Sequence, residues 1–346
     1  MTQSTQLISM VSTILNDHDG LVLFFQQMEA QTRRPDEIVI VDGGSTDGTW
    51  ELLQSYSVVG TISLNCYHEE GCNVARGRNL AIERATHNII ASTDIGCAWD
   101  SQWLEEIVAP LLENSFIDYV VGSWAVQPES VKTPWAKTEL VYRNSHVFQA
   151  TPESNATSRS IAYQKKVWQA VGGYPEDLTL AADDTIFDLL LKKHDFKASA
   201  APIVRCYWHR FERLKQYLKE ERRNFYGDGE AFIRQKHVVL IGGRLLIEIL
   251  GLFGAIFLLV NPSWCYLRLI MLALALVSIT HRVFRFFPKA KILGDMGVNF
   301  PLLRLLVFDY LTKLYSLRGY FFGFLRGFKH CQNCRERVHK IALTVE

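Results

Sequence analysis

Asp183 and Asp184 stand side by side in the stretch from Gly172 to Phe187, GGYPEDLTLAADDTIF, at the apparent start of a helix. Adjacent carboxylates can divide labour, one taking a proton from an attacking hydroxyl while the other orients a neighbour or the incoming group. The plainer use of the same pair is to cap the helix and complement its dipole. Asp94 opens TDIGCAWD directly after an apolar stretch. A carboxylate there can hold a hard divalent cation that neutralises diphosphate oxygens, or can simply cap the helix that follows. Asp42 to Thr49 reads DGGSTDGT, in which Gly43 and Gly44 let backbone amides approach a ligand while Asp, Ser and Thr supply hydrogen-bonding groups. An Asx-rich turn leading into a helix at Trp50 accounts for that run equally well. In NVARGRN, Asn73 to Asn79, Arg76 and Arg78 sit at a helix start, where guanidinium groups and free amides can meet a diphosphate or form a solvated basic patch. Trp208, His209 and Arg210 make an aromatic and basic cluster ahead of Lys215, Lys219, Arg222 and Arg223; this segment can close over a diphosphate, face anionic lipid, or be a solvated helix face.

The elements that must position these residues alternate. Leu7 to Leu15, Glu37 to Val41, Thr61 to Tyr67, Ile89 to Thr93 and Tyr119 to Ala125 read as strands. Gly20 to Gln31, Thr49 to Ser55, Asn73 to Ala85 and Ser101 to Leu112 read as the helices between them. Continuously apolar strands separated by helices predict a parallel sheet covered on both faces, with ligands beyond the carboxyl ends of the strands. Asp42 and Asp94 both fall at such ends.

The chain has 346 residues, which exceeds the usual single domain and predicts a catalytic domain with an accessory region. Its 37 Lys plus Arg against 36 Asp plus Glu give no broad field for nucleic acid, which is not expected as a partner. The first residues lack a basic and a long apolar region, so no signal peptide is expected. Seven scattered Cys suit reduced thiols better than a disulfide framework, and Cys331 and Cys334 form a lone CxxC with no obvious further metal ligands. Val238 to Val260 and Trp264 to Thr280 are apolar runs of spanning length, with Arg244 and Glu248 one helical turn apart and able to pair. The connecting Asn261-Pro262-Ser263 carries no positive charge, whereas Arg234 and Lys236 precede the hairpin and His281, Arg282, Arg285, Lys289 and Lys291 follow it. A multi-pass protein of the inner or plasma membrane, with its catalytic domain in the cytoplasm, is the expectation. Phe300 to Phe328 interleaves aromatics and Leu with basic residues, as a helix in the interface would, and a third span there stays open. The expected divisions are residues 1–235, a two-helix hairpin at 236–282, and an amphipathic region at 283–346.

With these residues in view, the chain resembles glycosyltransferase family 2, inverting enzymes with a Rossmann-like α/β nucleotide-diphospho-sugar transferase domain of the GT-A type. The similarity runs from about Leu7 to Glu230 and rests on QTRRPDEIVIVDGGSTDGT, ARGRN, TDIGC with WLE after it, SRSIAYQKKVWQAVGGYPE and ADDT, in that order. It implies that Thr13 and Asp42 contact the nucleotide base, that Arg78 lies near the diphosphate, that Asp94 is the first acid of the DxD metal motif, and that Asp184 is the catalytic base with Asp183 beside it. Asn16, Gly43, Arg76, Asn79, Thr93 and Arg210 complete the nucleotide-sugar site it implies. Gly96 replaces the second DxD acid, so a Mg2+ or Mn2+ ion would rest on Asp94 with diphosphate, water or His209. Asp183 replaces the family's frequent Glu, and QxxRW, a mark of processive synthases, is missing. The resemblance therefore implies transfer of a single sugar from a nucleoside-diphosphate donor, a UDP-sugar in the first place, to a lipid-linked or glycan acceptor at the membrane. A catalytically degenerate nucleotide-sugar-binding scaffold is the alternative that Gly96 keeps open.

Overall fold

The computed structural model describes residues 6–144, 147–257 and 265–339. The last residues of the first predicted span, the Asn261-Pro262-Ser263 connection and Trp264 lie outside the described residues. In chain order the elements are β1 (Ile8–Ile14), α1 (His18–Glu29), β2 (Glu37–Asp42), α2 (Thr49–Val59), β3 (Leu64–His68), α3 (Val74–Arg84), β4 (Ile89–Ser92), β5 (Cys97–Trp99), α4 (Trp103–Glu113) and β6 (Tyr119–Val126). After a 3-10 turn at Pro128–Ser130 come α5 (Pro134–Arg143), β7 (Val147–Phe148), β8 (Ile161–Gln164), α6 (Lys165–Val171), α7 (Asp183–Lys193), β9 (Ala198–Trp208), α8 (Leu214–Glu230), α9 (Gln235–Phe257), α10 (Cys265–Asp295), α11 (Pro301–His330) and α12 (Gln332–His339). They sort into two compact units, one of Met1–Pro128, Ser145–Arg210 and Phe328–Glu346, the other of Glu129–Asn144 and Phe211–Gly327.

The first unit is an α/β domain on one sheet with strand order β3-β2-β1-β4-β8-β6-β9-β5 and β7 paired to β6. The predicted parallel arrangement holds for β3, β2, β1 and β4. Beyond β4 the sheet is mixed: β8 runs antiparallel to β4 and β6, and β9 is parallel to β6. β8 follows the irregular residues 149–160 rather than a helical crossover, whereas β9 follows α7 directly. Every residue of β2 is buried, as both-face coverage requires, and the core joins Phe24, Phe25, Ile38, Ile40, Trp99, Trp103 and Leu104. Gly77 lets α3 approach β1, since a Cβ there would stand 2.8 Å from Thr13 Cγ2. The CxxC cysteines are buried by packing. Cys331 Sγ donates to the Asp177 carbonyl, the Cys334 amide donates to Asp177 Oδ2, and Arg337 donates to the carbonyls of Val171 and Gly173.

The second unit is helical. A Cβ on Gly319 or Gly323 of α11 would fall 2.3 Å and 2.0 Å from the Arg222 and Tyr226 carbonyl oxygens of α8, so these glycines allow backbone-to-backbone approach. The anticipated Arg244 and Glu248 pair is present at 3.4 Å. Glu248 also meets Arg282 at 2.7 Å and accepts from Ser278 and Tyr310, and Arg282 bonds Asp309. Arg282 is 1% exposed, so it serves this network rather than a positive cytoplasmic flank. Two spans were anticipated; among the described residues one stretch, Leu269–Asp295, is long and apolar enough to cross a membrane. Leu246, Ile247, Leu250 and Phe253 of α9 and Ile270, Leu274, Val277 and Phe284 of α10 are exposed. Apolar exposure on that scale marks a surface that meets something other than water.

Candidate active site

Thr13, Asn16, Asp42, Gly43, Thr93 and Asp94 lie at the ends of β1, β2 and β4, and Arg78 joins Asp94 to Asp183. Asp42 closes β2 in register with Ile14 and His68, and its carboxylate is fully engaged. Oδ2 accepts from the amides of Gly44 at 3.1 Å and Ser45 at 3.0 Å and lies 2.9 Å from His68 Nδ1, while Oδ1 accepts from Ser45 Oγ. Asp42 thus folds the DGGSTDGT loop in the Asx-turn manner, and Gly44, at φ +102°, supplies the left-handed backbone the turn needs. Asn16, at φ +52°, holds the same loop from the β1 side: its Oδ1 accepts the Thr46 amide at 2.8 Å and its amide donates to Ser45 Oγ. Gly43 ties the two strand ends together through its amide on the Ile14 carbonyl. Thr13, half-buried on β1, lies against Gly77 of α3. Asp47 accepts from the amide and hydroxyl of Thr49, and these bonds hold its carboxyl below the usual range.

The NVARGRN helix divides its polar residues between roles. Arg76 is a bidentate partner of Glu69 at 2.8 and 3.2 Å, with Glu176 at 3.7 Å, which commits it to the β3–α3 connection. Asn79 organises the GGYPE loop: it donates to the Tyr174 carbonyl and Glu176, and accepts from the Tyr174 amide and Trp168 Nε1. Arg78 is the central cation. Its Nη2 bonds Asp94 Oδ1, its Nη1 bonds Asp183 Oδ2, and its guanidinium carbon stands 5.6 Å over the Tyr174 ring. Burial disfavours the Arg78 charge, but Asp183 and Asp94 more than offset that and hold it protonated well above the ordinary arginine range. Thr93 is a positioning residue, with Oγ1 accepting from Trp99 Nε1 at 2.9 Å and donating to the Arg159 carbonyl at 2.6 Å.

Asp183 and Asp184 open α7 after Ala182, whose φ of +74° turns the chain into the helix. The Asp183 side chain is 14% exposed, and burial pushes its carboxyl above the ordinary aspartate range against the pull of Arg78. Asp184 Oδ1 accepts the Thr185 amide at 2.7 Å. The two acids are thus held differently, one locked to a guanidinium and the other kept by its own helix terminus.

A divalent cation has a limited donor set here. Among the described residues no group of three or more His, Cys, Asp or Glu converges. His209 places Nδ1 3.4 Å from Gln127 Oε1, and Arg210, fully buried, lies with its guanidinium carbon 4.0 Å over the Trp208 ring. Gly96 has φ +100°, a conformation that disfavours the aspartate expected there, and a Cβ on it would stand 3.4 Å from Asp17 Oδ2. Asp94, with a side chain 38% exposed, fits the kind of site in which one carboxylate and substrate phosphates share the ion. The sequence does not single out His68, Glu69, Tyr174 or Arg159, although the last two lie within the motifs that carry the resemblance. The strand register alone, pairing Asp42 with His68, offered a route to the first.

Residues 9–169 match glycosyl transferase family 2. TuaG of Bacillus subtilis (strain 168), named for teichuronic acid biosynthesis, is 31% identical over 115 residues, 33% of this chain and 46% of that protein. Glycosyltransferase AglE of Haloferax volcanii is 23% identical over 186 residues, 53% of this chain and 60% of that protein. The chain thus spans about half the length of these curated relatives. A mannosyltransferase from Pyrobaculum calidifontis, solved with GDP-Man and Mn2+, is similar in fold, with a TM-score of 0.54 at 17% identity, over 96% of this chain and 89% of that one.

Proposed function

We propose that this protein is an inverting glycosyltransferase that moves one sugar from a nucleoside-diphosphate sugar to a lipid-linked or glycan acceptor beside a membrane. The observation that carries the reading is Arg78 set between Asp94 and Asp183, with Asp184 next in the chain. The donor's nucleotide rests on the loops after β1 and β2, and its diphosphate lies toward Arg78 and Asp94. Asp184 takes the proton of the acceptor hydroxyl as its oxygen bonds the anomeric carbon. The bond to the diphosphate breaks on the opposite face, which inverts the configuration, through a transition state of oxocarbenium character. Asp183 keeps Arg78 aimed at the leaving group, where fixed positive charge is worth most in a site that excludes water. Asp94 would hold a Mg2+ or Mn2+ ion, which when bound would supply further positive charge beside the leaving group.

Membrane attachment rests on the exposed apolar residues of α9 and α10, and tethering the chain to the bilayer raises the effective concentration of a lipid-borne acceptor. The test is a panel of UDP- and GDP-sugars offered to detergent-solubilised protein with membrane lipid extract, with and without Mn2+ or Mg2+, read by NMR for the anomeric configuration of the product. Turnover of one donor with inversion supports the proposal. Donor binding without consumption under every condition makes the chain a nucleotide-sugar-binding scaffold instead.

A further inference from the structure

On the other side of Asp94 from the DGGSTDGT loop lies a second cationic feature. Arg159 precedes β8, and its carbonyl accepts from Thr93 Oγ1 at 2.6 Å, which fixes its backbone to the residue before Asp94. Its guanidinium carbon lies 3.8 Å from the centre of the Trp208 ring and 5.6 Å from that of Trp124. Arg210 stacks on the same Trp208 at 4.0 Å, and Trp124 packs edge-on to Trp208 and flat on Phe148. Arg159 is half-buried, yet among the described residues no carboxylate pairs with its guanidinium and no acceptor hydrogen-bonds it. Trp124 Nε1 is likewise buried without an acceptor.

Arg159 and Trp124 Nε1 thus offer donors that no described acceptor takes up. A guanidinium offers five N–H groups in a planar fork suited to an oxyanion, and aromatic stacking fixes the plane of that fork before any ligand arrives. Position decides which anion. The loops after β1 and β2 lie in the β3-β2-β1 half of the sheet, whereas Arg159 leads into β8, and Trp124 and Trp208 belong to β6 and β9, across β4. A group held at Arg159 therefore approaches Asp94 from the side opposite the nucleotide.

We propose that Arg159, stacked on Trp208 beside Arg210, receives an oxyanion of the acceptor, a phosphate or a carboxylate, and so selects anionic acceptors. This deepens the glycosyltransferase reading but is tested without transfer. Inorganic phosphate and glucuronate are titrated calorimetrically into the full, detergent-solubilised chain saturated with UDP or GDP, for the wild type, Arg159→Gln and Arg159→Lys. The expected result is binding of at least one anion alongside the nucleotide, weakened on the order of tenfold by Arg159→Gln and less by Arg159→Lys, with nucleotide affinity unchanged in both variants. The proposal is overturned if neither anion binds, if the variants bind as the wild type does, or if the nucleotide displaces the anion, which would give Arg159 to the donor's diphosphate. Should Arg159→Gln not fold, the Arg159→Lys titration carries the decision. Anion binding with no glycosyl transfer under any condition would leave this site standing while the catalytic reading falls.

Discussion

The guanidinium of Arg78 is bonded to the carboxylate of Asp183, joining the start of the ARGRN helix to the first residue of α7 across 105 positions of sequence. Neither side chain is well solvated, at 7% and 14% exposure. A pair enclosed in this way gives little net stability, but its rupture is costly because one charge is left buried alone. The link therefore fixes where α7, and with it Asp184, stands relative to the β4 terminus.

Arg78→Met should destabilise the first unit by about 3–5 kcal/mol, mostly through the stranded Asp183, since the more exposed Asp94 recovers water. Adding Asp183→Asn should return a large part of that loss. Chemical unfolding of the two variants checks this, and an Arg78→Met protein as stable as the wild type would remove the anchoring role.

Glu37 gives a pH prediction. It is buried at the start of β2 and accepts from Ser9 Oγ, Asn65 Nδ2, and the amide and hydroxyl of Thr86. Burial alone would raise its carboxyl, but the Ser9 and Thr86 bonds outweigh that and lower it. A carboxylate with a lowered folded value stabilises the fold above the ordinary glutamate range and loses that contribution as pH falls through the lowered value. Glu37→Gln should therefore cost on the order of 1–3 kcal/mol at neutral pH, and the gap to the wild type should narrow as pH drops toward 3. Thermal unfolding of both proteins from pH 7 to 3 measures it, and a constant gap would contradict the assignment.

The approach of α8 and α11 predicts a contrast between two glycines. Gly323→Ala would push a Cβ to 2.0 Å from the Tyr226 carbonyl oxygen and should destabilise the helical unit by about 1–3 kcal/mol. Gly243→Ala in α9 meets nothing within 4 Å and should stabilise by about 0.5–1 kcal/mol. Melting temperatures in detergent should move in opposite directions; equal shifts would argue against close backbone packing.

Much of the first unit is legible in the sequence because local rules decide it. The apolar run EIVIV must be a buried strand, DGGSTDGT must turn, and Asn73 caps α3 by accepting the Arg76 amide. Less legible is what each polar residue in those motifs does. Arg76 and Arg78 are two positions apart and look alike in sequence, yet one faces Glu69 and the other Asp94 and Asp183, because alternate helix positions point to different neighbours. Asp42 reads as a ligand contact, while its carboxylate is occupied by the loop it shapes. The mixed half of the sheet and the return of α12 onto Asp177 depend on contacts between residues distant in sequence, which no local periodicity encodes. The buried network of Glu248, Arg282 and Asp309 was visible only in its first pair, since the other partners come from separate helices.

The most direct test of the account is Asp184→Asn, assayed for donor binding and for single-turnover transfer with the sugar donor that the wild type consumes. If Asp184 is the base, the variant binds that donor within a few-fold of wild type and loses about 10²–10⁴ in the rate of transfer, while its melting temperature stays near that of the wild type. A variant that transfers sugar at nearly the wild-type rate would place the proton acceptor elsewhere and contradict the mechanism.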